Sequence, residues 1–310
     1  MRYVFVVNPN AGVKNIYEDV ENKINRHFAN SEIEYKICQS IEKGDITYIC
    51  RCEAETGDEV RIYCFGGDGT LWEAVNGIVG FDNVELGVFP SGSGNDYIKT
   101  FGQRKDFLDF AAQMDGESIE VDLIKTDNGI SINNVCLGFD AKIAIGMTKF
   151  KKLPLVGGSR AYDLSLANSL LTRIGDDFDI TLQTKDGKEN FSGRFLFATA
   201  SIGQYYGGSF NVAPLAKVDD GLIDFVLIKK PPLVKIPGLV NLYKNGEHIN
   251  DAKFEPYLIY RQGYSMEITS KNEVYCVQDG EGQKVKKESI VLSPYKIKFI
   301  LPKGIEFLKK

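Results

Sequence analysis

Three apolar runs in the first hundred residues each stop at a turn made of small and polar residues. Residues 3–7 run into Asn8-Pro9-Asn10-Ala11-Gly12, residues 60–65 into Gly66-Gly67-Asp68-Gly69-Thr70, and residues 85–89 into Pro90-Ser91-Gly92-Ser93-Gly94-Asn95-Asp96. Between them, residues 16–28 place Ile16, Val20, Ile24 and Phe28 at helical spacing. Residues 32–38 read as a further strand and 45–56 as a helix. Strands alternating with helices predict an open, mostly parallel sheet. Ligands on such sheets bind beyond the carboxyl ends of the strands, so the three turns should converge on one crevice.

The middle turn carries the most chemistry. Val60, Ile62 and Cys64 lead into three glycines around one aspartate, and the helix-like stretch Leu71-Trp72-Glu73-Ala74-Val75-Asn76 begins at once. Bare backbone N–H groups and a helix N-terminus are a physical recipe for holding phosphate. A lone carboxylate would repel phosphate unless a cation or a proton transfer involves it. The turn therefore reads as a nucleotide-phosphate site with a metal nearby. The plainer alternative is a tight strand-to-helix turn with Asp68 as N-cap.

After about residue 118 the pattern changes to short strand-like runs at 120–126, 130–137, 178–184, 193–200, 223–228, 265–269 and 275–278. Turn signals such as Asp127-Asn128-Gly129 and Lys185-Asp186-Gly187 separate them. Residues 158–172 and 237–245 look helical. The expected architecture is an α/β nucleotide-binding domain over residues 1–118 and an antiparallel β-sandwich with a helical insertion over 119–288. A tail over 289–310 holds two further strand-like segments. A chain of 310 residues can supply a core to each domain.

The formal net charge of −5 argues against wholesale attraction to nucleic acid. The six cysteines are irregularly spaced, which favours buried thiols in a reducing cytoplasm over zinc or a disulfide framework. Only two histidines are present, His27 and His248, so histidine-based triads are poor candidates. The N-terminal apolar run is too short for a signal peptide, and no run reaches transmembrane length.

Taken in order, the three turns, the stretch Tyr205-Tyr206-Gly207-Gly208-Ser209-Phe210 with Asp219-Asp220-Gly221-Leu222-Ile223-Asp224, and finally Asp279-Gly280-Glu281 resemble the diacylglycerol kinase catalytic-domain family, in its bacterial soluble lipid kinase branch. The resemblance spans nearly the whole chain. It implies a phosphofructokinase/NAD kinase-like nucleotide-binding domain, a C-terminal β-sandwich, an active site in the cleft between them, and a tail that returns to the first domain.

Residue by residue, the resemblance implies that Asn10, Ala11, Gly12, Val13 and Lys14, with Gly66, Gly67, Asp68, Gly69, Thr70, Leu71 and Trp72, wrap the phosphates of ATP. Ser93 stands where the family usually has threonine, within a motif that ends in Asn95 and Asp96, and Ser40 matches another threonine-type nucleotide contact. Glu281 matches the general base that takes the proton from a lipid hydroxyl as it attacks the γ-phosphorus. Asp220 matches a Mg2+-binding aspartate, flanked by the backbone carbonyls of Lys217 and Leu222, and Asp68 joins a water and magnesium network. Ser93-Gly94 departs from the usual Thr-Ala, and Gln278 stands where an apolar residue is usual.

The stretch 149–162 with Lys142 mixes basic and apolar residues and could meet an anionic bilayer. The implied function is an ATP-dependent lipid kinase, with diacylglycerol to phosphatidic acid as the default reaction. It would work in the cytoplasm, in transient, peripheral contact with the inner face of the membrane, where its lipid substrate lies. A homodimer is compatible with this reading. A soluble-metabolite kinase of the NAD kinase kind and a non-catalytic nucleotide-binding regulator are the alternatives.

Overall fold

The computed structural model describes residues 1–9, 11, 16–138, 141 and 174–309. The chain forms two compact units. Residues Met1–Val121 and Pro294–Lys310 make the first, and Asp122–Ser293 the second.

In the first unit, β1 (Arg2–Val7), β2 (Tyr35–Gln39), β3 (Val60–Gly66) and β4 (Val84–Pro90) alternate with α1 (Tyr17–Phe28), α2 (Asp45–Ala54) and α3 (Asp68–Ile78). After the short helices α4 (Arg104–Leu108) and α5 (Phe110–Met114) comes β5 (Glu117–Val121). The strand order β2-β1-β3-β4 is wholly parallel, with Phe5 opposite Tyr63 and Phe65 opposite Phe89. Strands buried on both faces read as continuous apolar runs, and β1 and β3 do so along their buried stretches, residues 4–7 and 62–66, with Arg2 and Arg61 confined to the partly buried start of each. Phe5, Val7, Tyr63, Phe65 and Phe89 pack with Ile24 and Phe28 of α1 and Phe110 of α5. Rings of Phe65 and Phe89 stack at 4.3 Å.

The second unit holds β6 (Ile124–Thr126), β7 (Gly129–Ser131), β8 (Asn134–Gly138), β9 (Asp176–Thr184), β10 (Gly187–Ser201), β11 (Tyr205–Tyr206), β12 (Phe210–Asn211), β13 (Ile223–Lys229), α6 (Ile236–Lys244), β14 (Leu258–Gln278) and β15 (Glu281–Leu292). All of its strand pairings are antiparallel. β14 pairs in turn with β13, β9 and β8 along one course, and with β15 on its other edge. It joins the runs 265–269 and 275–278, which the sequence presents as two strands, across an irregularity between Thr269 and Val274. The turns Asp127-Asn128-Gly129 and Lys185-Asp186-Gly187 close hairpins as their composition predicts.

The tail strand β16 (Ile297–Leu301) enters the first sheet between β4 and β5, parallel to β4 and antiparallel to β5. The apolar run 120–126 is not one strand. Its first half ends β5 in the first sheet and its second half is β6 in the second, broken at Asp122. Beside that break, Ser293 donates its N–H to the Leu123 carbonyl and Leu292 pairs with Ile124, so the chain enters and leaves the second unit side by side. The predicted helix at 158–172 lies outside the described residues. No described helix is long and apolar enough to cross a membrane.

Candidate functional site

In the first unit the turns after β1, β3 and β4 do meet. The Asn8 side chain donates to Thr70 Oγ1 at 3.0 Å, and its N–H reaches the Phe65 carbonyl. Ser91 and Gly92 both donate to the Gly66 carbonyl. Gly67 and Gly92 lie back to back: a Cβ on Gly92 would stand 2.5 Å from the Gly67 Cα, and one on Gly66 2.2 Å from Thr70 Oγ1. The glycines are thus a packing requirement between two turns. Arg104 fixes the second turn from outside, donating through Nε and Nη2 to the Pro90 carbonyl.

Asp68 opens α3 without capping it. The N-cap is Gly67, which has no side chain to offer, so the first-turn amides are left to other acceptors. The Asp68 carboxylate instead crosses to the neighbouring turn, taking N–H groups from Asn95 at 2.8 Å and Asp96 at 2.7 Å. A Cβ on Gly94 would sit 2.6 Å from Asp68 Oδ2, so glycine leaves the carboxylate room. Burial pushes this carboxyl up to about 7, and Asp96 adds to the rise against the pull of the two amides. Asn95 holds the left-handed conformation, φ 50°, and donates its amide to the Gly92 carbonyl; Asp96 pairs with Lys99.

The remaining first-unit candidates differ in exposure. Ser93 is exposed and Trp72 half-buried, with the Trp72 indole N–H enclosed and unpaired. Thr70, Leu71 and Ser40 are buried, so Leu71 can meet a ligand only through its backbone. The Ser40 N–H binds the Val7 carbonyl at the end of β1. The turn after Ser40 is tied to α3 by Gly44 N–H donating to Glu73. Ala11 donates to the Asn8 carbonyl, while Asn10, Gly12, Val13 and Lys14 lie outside the described residues. Gly69 is half-buried in the first turn of α3.

In the second unit Glu281 is half-buried at the head of β15, opposite Gln278 across a two-residue hairpin. Asp279 and Gly280 both take positive φ, 46° and 95°, the form that an Asp-Gly hairpin turn favours. The Asp279 side chain is buried and accepts from Ser131 Oγ and the N–H groups of Ile132, Asn133 and Asn134. Burial still lifts its carboxyl to about 6. Gln278 is buried and accepts from Thr126 Oγ1.

Asp220 and Leu222 share one turn, in which Leu222 N–H binds the Asp220 carboxylate at 3.1 Å. Partial desolvation first, and then the Asp122 carboxylate, raise the Asp220 carboxyl from its ordinary value although the residue as a whole is exposed. Lys217 and Asp220 are exposed, and a buried carboxylate, Asp122, holds the turn by accepting from Gly221 N–H at 2.7 Å. A carboxylate with backbone carbonyls beside it is the hard oxygen chemistry that Mg2+ accepts when waters complete its shell. No cluster of three acidic, cysteine or histidine side chains occurs among the described residues, so such a site would rest on those carbonyls.

The motif reading passed over Asp122 and Arg104 and left Asp279 and Asp224 without roles. Asp224 is fully buried, accepts from Tyr260 and Gln262, and is raised by burial to about 6. A single carboxylate inside an apolar run, as in Val121-Asp122-Leu123 or Ile223-Asp224-Phe225, is a usable signal, because burying it demands partners.

Residues 2–126 match the diacylglycerol kinase catalytic domain, and residues 133–301 match the YegS C-terminal NAD kinase beta sandwich-like domain. The chain is 26% identical over 279 residues to the diacylglycerol kinase of Bacillus subtilis, covering 89% of this chain and 88% of that one. It is 28% identical over 257 residues to the probable lipid kinase YegS-like of Shewanella frigidimarina, covering 81% and 79%. A crystal structure of a diacylglycerol kinase from Bacillus anthracis superposes with a TM-score of 0.69 at 20% identity, over 98% of this chain and 97% of that one, a likeness of fold.

Proposed function

Since the chain belongs to the diacylglycerol kinase catalytic-domain family, in its branch of bacterial lipid kinases, we propose that it transfers the γ-phosphate of ATP to a lipid hydroxyl, with diacylglycerol as acceptor and phosphatidic acid as product. The observation that most supports a phosphate-handling site is the uncapped start of α3, packed against the 90–96 turn with Asp68 bridging the two. Uncapped amides at a helix start attract the phosphates of a nucleotide. Residues 10–14, Ser40, Ser93, Asn95 and Asp96 are proposed to complete the nucleotide contacts.

Glu281 is the proposed general base. Its place beside a tight, doubly anchored turn limits its freedom, which a group that must meet a hydroxyl at hydrogen-bond distance requires. Asp220, with the Lys217 and Leu222 carbonyls, would hold Mg2+, which supplies neutralisation of phosphate charge. Positioning and charge stabilisation provide most of the rate in such transfers, with no covalent intermediate. The enzyme would act from the cytoplasmic side at the membrane surface.

A second acceptor class merits a parallel test, because the match over residues 133–301 is described as NAD kinase-like. The assay is phosphate transfer from γ-labelled ATP with magnesium onto mixed micelles of diacylglycerol, sphingosine or phosphatidylglycerol, with NAD alongside. Labelled phosphatidic acid is the expected product. Label on another lipid would revise the acceptor, and label on NAD alone would overturn the reading.

A further inference from the structure

The segment from Phe225 to Gly246 contains four lysines, Lys229, Lys230, Lys235 and Lys244, and no acidic residue, in a chain whose net charge is −5. Its middle is the turn Pro231-Pro232-Leu233-Val234-Lys235, between β13 and α6. Val234 is 87% exposed and Leu233 55% exposed, the one pair of consecutive, strongly exposed large apolar residues among those described. The pair is not spare core. α6 directs Ile236, Leu239 and Tyr243 inward, where they pack with Phe197, Val226 and Ile228.

The turn is held from below. Lys229 N–H binds the Tyr257 carbonyl at 2.8 Å and Lys230 N–H the Arg194 carbonyl at 3.0 Å. Pro231 is buried, and Lys235 N–H closes the turn on the Pro232 carbonyl. Lys235 Nζ lies 3.2 Å from the Tyr257 hydroxyl. The segment that leads up to Tyr257 carries Asp251 and Glu255 against Lys253, so the basic character is confined to the turn and α6. A fixed backbone that projects two apolar side chains among lysines loses little entropy on docking.

We propose that this turn is a membrane wedge: Leu233 and Val234 enter the interfacial layer of an anionic bilayer while Lys229, Lys230, Lys235 and Lys244 engage its phosphates. The inference rests on the lipid-kinase reading for its purpose. Two apolar side chains are too little surface for a stable protein partner. A two-fold contact between copies of this patch would bring like charges together. A bilayer asks only for a shallow apolar anchor plus a basic cluster, and together these give stable but reversible attachment. Near an anionic surface each lysine strengthens binding about fivefold.

The test is co-sedimentation of the full chain with vesicles of phosphatidylcholine, with and without phosphatidylglycerol. Binding to the anionic vesicles is expected to fall about tenfold in the double variant Leu233→Ser/Val234→Ser. Changing Lys229, Lys230 and Lys235 to Gln is expected to remove most of the salt-sensitive part. Unchanged far-UV circular dichroism would show that the variants fold, and phosphorylation of a short-chain, water-soluble diacylglycerol should be unaffected. Equal vesicle binding by wild type and variants would overturn the wedge, as would a concentration-dependent dimer that the variants abolish. Phosphate transfer to lipid with patch-independent binding sinks only the wedge. Patch-dependent binding without any lipid phosphorylation sinks only the kinase reading.

Discussion

The two units assemble their candidate functional groups by different means. In the first, the groups sit on turns next to the strands that position them, and the neighbouring turns meet because parallel strands share one carboxyl end. Asp68 and its amide donors at Asn95 and Asp96 are fewer than thirty residues apart. In the second, buried carboxylates tie distant segments together: Asp279 holds the 131–134 turn from 146 positions away, and Asp122 holds the Gly221 turn from 99. A locally built site tolerates error in the rest of the unit. A site built by long-range carboxylates depends on each of them.

The largest expected effect separates chemistry from scaffold. Glu281→Ala should lower kcat on a lipid acceptor by about 100- to 10,000-fold while nucleotide affinity stays within a few fold, read by steady-state kinetics and calorimetric titration. Retained turnover would remove Glu281 from the proposed role of base.

Next come two substitutions aimed at the comparison itself. Asp279→Ala leaves four donors in the second unit without their acceptor, and should cost about 2–4 kcal/mol in denaturant unfolding. Gly92→Ala, which forces a Cβ onto the Gly67 backbone, should disturb ATP binding more than global stability. Should Gly92→Ala unfold the chain while Asp279→Ala is silent, the contrast between the units would be reversed.

The smallest effect is a pH dependence. In metal-free, nucleotide-free protein the Asp68 carboxyl should titrate near 7 by NMR. Its folded value is raised, so its stabilising contribution is complete below the unfolded value near 4 and is lost as pH rises through about 7. Asp68→Asn should flatten that segment of the wild-type profile of Tm against pH. A profile unchanged by the substitution would show that the carboxyl ionises normally.

The same contrast sets what the sequence made legible. The parallel half and its turns could be read because strand, glycine turn and helix follow one another within a few residues. The antiparallel half could be recognised as such, since Asp-Gly and Asn-Gly hairpin turns punctuate it. Its strands were less readable. β14 conceals a 21-residue course behind an internal irregularity, and the run 120–126 serves two sheets because Asp122 interrupts it. The roles of Asp122 and Asp279 follow from pairings more than ninety positions apart, which local periodicity does not encode. Asp68 stood out in the sequence as the one carboxylate among the glycines, but its turn away from its own helix depends on the room left at Gly94.

The tail strand β16 makes the chain's order of synthesis matter. β4 has β3 on one edge from early on, but acquires its second neighbour only when Phe299 meets Leu86, after the whole second unit has been made. Closing so long a loop through an unfolded chain would be slow. The clamp of Ser293 on Leu123 and Leu292 on Ile124 changes the problem, because once the second unit folds, its two ends emerge together and the effective loop shrinks to a few residues. A nascent chain would therefore carry an open β4 edge on the ribosome until the inserted unit folds and delivers the last strand to it.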